Sequence, residues 1–244
     1  MDFNKTSNPI FGGKTFERTF ADSFSETMTA RGAINKTIIL FLVVVFAASF
    51  TWKIAFSGGA IGGWMIGGII GGLIAAMVTV FKPQWAAISA PIYAVFEGLL
   101  LGGLSAMFAA MYSGIVIKAV MLTFGTLFTM LFLYKTGIVK VTEKFKMGVI
   151  AATGAVALFY FVNMIFGFFG MGFQFGGLLG IGISLVIVGI AALNLVLDFD
   201  FIEKASHERL PKYMEWYAAF GLMVTLIWLY IEILRLLSLL ANRD

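Results

Sequence analysis

The feature that most constrains the fold is a run of 51 residues, Met147 to Leu197, that contains no charged side chain. A helix that crosses a bilayer needs about 20 mostly apolar residues, and its backbone polar groups must be satisfied within the segment. A run of this length therefore predicts two successive membrane-spanning helices. The whole chain, at 60% hydrophobic and 12% charged residues, has the composition of a polytopic membrane protein.

Seven segments are long and apolar enough to span a bilayer, which predicts an all-α fold with seven transmembrane helices. They are Thr37–Phe56, Gly59–Phe81, Trp85–Met111, Gly114–Tyr134, Met147–Phe169, Phe173–Leu197 and Met214–Leu240. Residues 1–33 form a polar amino-terminal tail without the pattern of a removable signal peptide. Residues 34–244 are expected to form one transmembrane domain.

The distribution of lysine and arginine predicts the orientation. Thirteen of these residues lie on the amino-terminal side of the seven spans and four on the opposite side. Because cytoplasmic segments carry the positive excess, we expect a cytoplasmic amino terminus and an external carboxyl terminus. A re-entrant last segment would instead return the carboxyl terminus to the cytoplasm, and that alternative stays open.

Composition also bounds the function. The net charge of +4 is scattered over short loops instead of forming a stripe, which disfavours nucleic-acid binding. The chain has no cysteine, so a disulfide framework and a thiolate nucleophile are excluded. It contains no HExxH or GxSxG motif and no paired intramembrane aspartates of the protease type. We therefore expect no enzymatic activity, no resident cofactor and no metal site.

The second span contains the glycine-rich stretch GGAIGGWMIGGIIGG, from Gly58 to Gly72. Glycines at this spacing share a helix face and allow neighbouring backbones to approach closely. Tight helix packing is the more ordinary interpretation. A glycine-lined permeation path is the alternative.

Two acidic residues, Glu97 and Glu232, lie deep inside predicted spans, away from the span ends. Glu97, in IYAVFEGLLLGG, lies twelve residues into its span, at a depth of about 18 Å. It is either a protonated structural group between helices or a titrating group in a cavity, and both remain open. Glu232, in IWLYIEILRLL, has Arg235 one turn later, which permits a local surface ion pair. The apolar neighbours of Glu232 favour a side chain that faces the bundle.

Two aspartates close the long uncharged run, in NLVLDFDFIEK. If the sixth helix continues through them, Asp198 and Asp200 point about 200° apart, so both cannot face the bundle. Asp200 has Lys204 at i+4, which suits a solvated face. Asp198 shares its face with Asn194 at i−4 and is the better candidate for an inward-facing group. A hydrophilic helix end at the interface is the plain alternative for both.

The segments LDFDFIEKA and LYIEILRLL, with SNPIF and APIYAVFEGLLLGG, resemble the Bax inhibitor family, also called the transmembrane Bax-inhibitor-motif or YccA-like proteins, and its bacterial branch in particular. The resemblance implies a location in a bacterial plasma membrane and seven helices, with the last one central and wrapped by the other six. It also implies a pH-sensitive calcium leak in which a carboxyl group late in the sixth helix and one in the last helix share a proton. Asp198 and Glu232 match these two positions, although the second acid is Glu where the family pattern has Asp.

The leading hypothesis is a Ca²⁺ leak or cation channel that is gated by protonation of buried carboxylates, with Ca²⁺ as permeant ion. The candidate proton-sensing or ion-pathway residues are Asp198, Glu232 and Glu97, and the secondary candidates are Asp200, Arg235 and Asn194. Two close carboxyl groups in a low-dielectric site cannot both ionise easily, and carboxylate oxygens suit Ca²⁺. One alternative is a regulatory membrane protein that modulates a membrane protease or a stress response through partners, using the tail and the basic loop 135–146. A proton-coupled transporter is the other.

Overall fold

The computed structural model describes residues 26–172 and 175–242. Within this part of the chain, seven α-helices are long and apolar enough to cross a membrane, which confirms the predicted fold class. They are α1 (Ala30–Phe56), α2 (Gly62–Phe81), α3 (Ala86–Met111), α4 (Ile115–Lys135), α5 (Glu143–Phe168), α6 (Gly177–His207) and α7 (Met214–Ala241).

Several helices extend beyond the predicted spans because polar residues cap or prolong their ends. Thr29 is the N-cap of α1 and accepts a hydrogen bond of 2.9 Å from the Gly32 backbone nitrogen. Thr142 caps α5 in the same way, so this helix includes charged residues that a hydropathy-based prediction leaves out. The predicted amino-terminal tail of residues 1–33 lies largely outside the described residues.

Helix α6 runs to His207, ten residues beyond the predicted end at Leu197. Asp198 and Asp200 are therefore helical, and the geometric argument that separates their two faces applies.

Helix α7 lies at the centre of the bundle and is its most buried membrane-spanning segment. It packs directly against α1, α3, α4 and α6, whereas α2 packs on α3 and α5 packs mainly on α6. The last helix is thus central, with four of the other helices as its main neighbours. It is one unbroken helix of 28 residues, which is about 42 Å long and sufficient for a full crossing.

The glycines of α2 divide into two groups. Gly68 and Gly72 are buried against α3, where a Cβ at Gly68 would lie 2.7 Å from the backbone oxygen of Phe96. Gly63 and Gly67 have open space around them. The buried group permits the close approach of α2 and α3 that tight packing predicts.

Candidate functional site

Asp198 faces the central helix. A Cβ built at Gly221 of α7 would lie 4.0 Å from Oδ1 of Asp198, and the hydroxyl of Thr225 lies beside the same carboxyl group. The second oxygen, Oδ2, is buried and has no hydrogen-bond partner. Oδ1 of Asp198 is thus at an ordinary van der Waals distance from the face of α7 at Gly221. The predicted inward orientation of Asp198 agrees with these contacts.

The two polar neighbours of Asp198 on α6 point elsewhere. Asp200 forms an ion pair with Lys204, with an Nζ to Oδ2 distance of 2.6 Å, as the i,i+4 spacing predicts. The Asn194 side-chain amide donates to the Thr153 hydroxyl of α5 at 2.7 Å and to the Ile190 carbonyl at 2.9 Å. Four residues rotate a helix position by about 40°, and this offset turns Asn194 toward α5.

Glu232 is buried in α7 with 3% of its surface exposed. Its Oε1 accepts a hydrogen bond from the Tyr160 hydroxyl of α5. The Trp228 side chain lies beside the carboxyl group one turn earlier, but buried Oε2 accepts no hydrogen bond of normal geometry. Nη1 of Arg235 donates to the same Tyr160 hydroxyl at 2.8 Å. Tyr160 thus bridges the acid and the base, and the carboxyl group faces the bundle instead of forming a local surface ion pair.

Asp198 and Glu232 do not contact each other. Asp198 lies beside Thr225, and Glu232 is seven positions further along α7, which is about 10 Å along the helix axis. Glu232 instead accepts a hydrogen bond from Tyr160 of α5. The proton-sharing pair implied by the family resemblance is therefore not formed by these two side chains in this structure.

Glu97 lies at a different interface. Its Oε2 faces α2, at 3.2 Å from a Cβ built at Gly72, and its carboxyl group lies beside the Tyr93 hydroxyl one turn earlier in α3. The Tyr93 ring contacts Phe220 of α7 edge-on, with centroids 5.0 Å apart. Glu97 is thus held between α2 and α3, whereas Asp198 and Glu232 line the contacts of α7.

The sequence of the chain matches the profile of a known family over residues 8–242, nearly its full length, and the description of that family is Bax inhibitor 1 like. The chain belongs to the Bax inhibitor 1 like family. No curated protein and no solved structure matches it. Membership agrees with the seven apolar helices and the central α7.

Sequence reasoning missed three polar residues of this Bax inhibitor 1 like protein. Tyr160 lies within the uncharged run, where the need of a buried hydroxyl for a partner is the only signal that could have found it. Ser184 of α6 is 1% exposed, and its Oγ has no partner. Glu215, near the start of α7, is 1% exposed and contacts the chain just before α1. No sequence pattern marks Ser184 or Glu215 as buried.

Glu215 joins the start of α7 to the start of α1. Its Oε1 accepts from the backbone nitrogen of Thr29 at 3.0 Å, and Lys212 lies 3.3 Å from the same oxygen. The adjoining segments pair through backbone hydrogen bonds, including Met28 nitrogen to Leu210 oxygen at 2.7 Å. These contacts fix the amino-terminal end of the central helix.

Within residues 26–172 and 175–242, no three His, Cys, Asp or Glu side chains are grouped closely enough to hold a metal ion. The buried carboxyl groups lie singly along the bundle. A single buried carboxyl group has the chemistry to bind or release a proton and to provide oxygen ligands for a cation.

Proposed function

We propose that this membrane protein is a cation leak with Ca²⁺ as permeant ion, and that protonation of buried carboxylates controls its permeability. The observation that carries the proposal is that Oδ2 of Asp198 and Oε2 of Glu232 are buried without hydrogen-bond partners. A buried polar atom without a partner is uncommon in proteins and calls for an explanation such as a functional role, a bound water or an ion. Both atoms belong to helices that pack against each other, α6 and α7.

In this proposal Asp198 and Glu232 act at different depths in the bundle. Ionisation of a carboxyl group in an apolar bundle is energetically costly, so its protonation state changes the free energy of a cation that passes beside it. A cation that passes Asp198 or Glu232 meets an oxygen ligand when the group is ionised and a neutral group when it is protonated. The proposed orientation has the amino terminus in the cytoplasm of a bacterial cell, and no catalytic step or resident cofactor is part of the proposal.

A regulatory function through membrane-protein partners is the second candidate. Lys140, Lys144 and Lys146 are exposed on and beside the short connection between α4 and α5. A basic surface of this kind suits an acidic partner or an anionic lipid surface.

The test is Ca²⁺ flux into liposomes that contain only the purified protein. We expect flux above that of protein-free liposomes, with a rate that changes across about pH 5 to 8, where carboxyl groups removed from water titrate. Folded, monodisperse protein that gives no flux at any pH in this range contradicts the leak and favours the regulatory function. Uphill accumulation of a substrate driven by a pH gradient identifies a proton-coupled transporter instead.

A further inference from the structure

Three buried side-chain atoms without partners in the described residues lie on one pair of helices. They are Ser184 Oγ and Asp198 Oδ2 on α6 and Glu232 Oε2 on α7. We call Ser184, Asp198 and Glu232 the polar seam. Ser184 shares a face of α6 with Gly180, four residues earlier, and a Cβ built at Gly180 would lie 3.6 Å from Leu239 of α7. Ser184 is 1% exposed and is offset by about 40° from Gly180 and Asp198 around the α6 axis, on the side away from Asn194, so it lies on the buried face of α6.

The register of α6 and α7 gives the level of each member of the seam. The two helices are antiparallel, and Gly180 lies level with Leu239. Both helices rise by about 1.5 Å per residue. Ser184 is four residues after Gly180 on α6 and Arg235 is four residues before Leu239 on α7, so Ser184 lies level with Arg235. Arg235 is thus at the outer end of the seam, on the side of the bundle opposite Ala30, which we call the far side.

Arg235 is held in place at this end by α5. Its Nη1 donates to the Tyr160 hydroxyl at 2.8 Å, and its guanidinium lies 5.8 Å from the centroid of the Tyr160 ring. The same hydroxyl donates to Glu232, so one oxygen atom contacts the side chains of both Arg235 and Glu232. Because α5 packs mainly on α6, Tyr160 is a link through which α5 contacts the central helix.

A fixed guanidinium at the end of a path repels cations and compensates the charge of a nearby carboxylate. We propose that Tyr160 and Arg235 form a far-side gate of the polar seam, closed while Tyr160 holds Arg235 beside Glu232 and opened when that link is released. Tyr160 is a positioning residue in this gate, since it acts through Arg235 and Glu232. The inference deepens the proposed cation leak and rests on it for its physiological meaning.

Accessibility of a cysteine in the seam tests the gate without requiring any flux. Ser184→Cys introduces one nearly isosteric thiol into a chain that has none. In whole cells, we expect slow modification by a membrane-impermeant thiol reagent when Tyr160 is present and modification at least about tenfold faster with Tyr160→Phe added, because the bridge is lost. Equal rates in the two backgrounds overturn the gate.

Two matched controls support this comparison. Tyr112→Phe removes a hydroxyl that donates to Asn242 at 2.7 Å, also near the far side, and is expected to leave the Ser184→Cys rate unchanged. Ser113→Cys, in the exposed connection between α3 and α4, reports that the reagent reaches the far side. An increase with Tyr112→Phe equal to that with Tyr160→Phe reflects general loosening and also overturns the gate.

Flux provides a second readout if Ser184→Cys does not fold. Tyr160→Phe and Arg235→Gln are each expected to raise Ca²⁺ flux several-fold, whereas Arg235→Lys retains the positive charge and should raise it less. Unchanged flux in Tyr160→Phe and Arg235→Gln, in a protein that conducts, overturns the gate but leaves the leak intact. Absence of flux in the wild type contradicts the proposed leak but not the gate. The modification rates of Ser184→Cys with and without Tyr160→Phe then show whether the gate exists.

Discussion

Oε1 of Glu215 lies 3.0 Å from both the backbone nitrogen and the hydroxyl oxygen of Thr29. One carboxylate oxygen thereby joins the first turn of the central helix to the residue that caps α1. The carboxyl group also occupies the space in which any side chain on Gly32 would lie. This arrangement accounts for a buried acid at the amino-terminal side of the bundle.

The Glu215 contact predicts that Gly32→Ala destabilises the protein. The added methyl group displaces the carboxyl group from Thr29 and leaves buried polar atoms unpaired, at a cost of about 1–3 kcal/mol. We expect a lower midpoint of thermal unfolding in detergent. Gly62→Ala, at the open start of α2, is the matched control and should leave the midpoint nearly unchanged. Equal midpoints for the two variants would show that Glu215 can move without loss.

Two glycines of α2 that are adjacent in sequence should respond oppositely to alanine. A Cβ at Gly68 would lie 2.7 Å from the Phe96 carbonyl oxygen and 3.0 Å from the Leu100 nitrogen, both backbone atoms. Overpacking of this kind costs about 1–3 kcal/mol, so Gly68→Ala is expected to lower thermal stability. Gly67→Ala meets open space and should be neutral or slightly stabilising. A destabilised Gly67→Ala with a tolerated Gly68→Ala would contradict the α2–α3 packing.

Glu97 is expected to support the fold more than the flux, because it lies between α2 and α3. Glu97→Gln retains the shape and a hydrogen-bonding side chain next to Tyr93, so flux and its pH dependence should stay near those of the wild type. Glu97→Leu leaves the buried Tyr93 hydroxyl without that neighbour and should reduce the yield of folded protein. Loss of the pH response in well-folded Glu97→Gln would place Glu97 in the pathway.

The positive charges predict which loops are cytoplasmic. Gln84 and Lys140 are exposed on the predicted cytoplasmic side. Single cysteines at these two positions should therefore not react with an impermeant thiol reagent added outside cells. Ser113→Cys, on the opposite side of the bundle, should react. The reverse pattern, with Gln84 and Lys140 labelled and Ser113 protected, would invert the orientation.

Hydropathy was sufficient to predict the number of helices and most of their ends, because the bilayer requirement acts on about 20 residues at once. Helical geometry also distinguished Asp198 from Asp200, since residues that are two positions apart point to nearly opposite sides of a helix. The orientation of Asn194 toward Thr153 was not predictable in this way. It depends on which helix lies beside that face, and periodicity within one helix contains no such information.

The partners of the buried acids were equally beyond the sequence. Tyr160 and Glu232 are 72 residues apart in the chain and meet only because α5 and α7 approach each other in the fold. Glu215 and Thr29 are 186 residues apart. A single sequence shows that each acid needs a partner, but the arrangement of the helices determines which partner it has.

The most direct test of the account is the pH dependence of Ca²⁺ flux in liposomes for Asp198→Asn beside Asp200→Asn, at matched yields of folded protein. Asp198 has a buried oxygen without a partner, whereas Asp200 is paired with Lys204 at 2.6 Å. Across about pH 5 to 8, where carboxyl groups removed from water titrate, we expect Asp198→Asn to flatten the response and Asp200→Asn to retain it. An Asp198→Asn profile that overlays the wild-type profile, or a greater loss in Asp200→Asn, would contradict control of the flux by the buried carboxyl group.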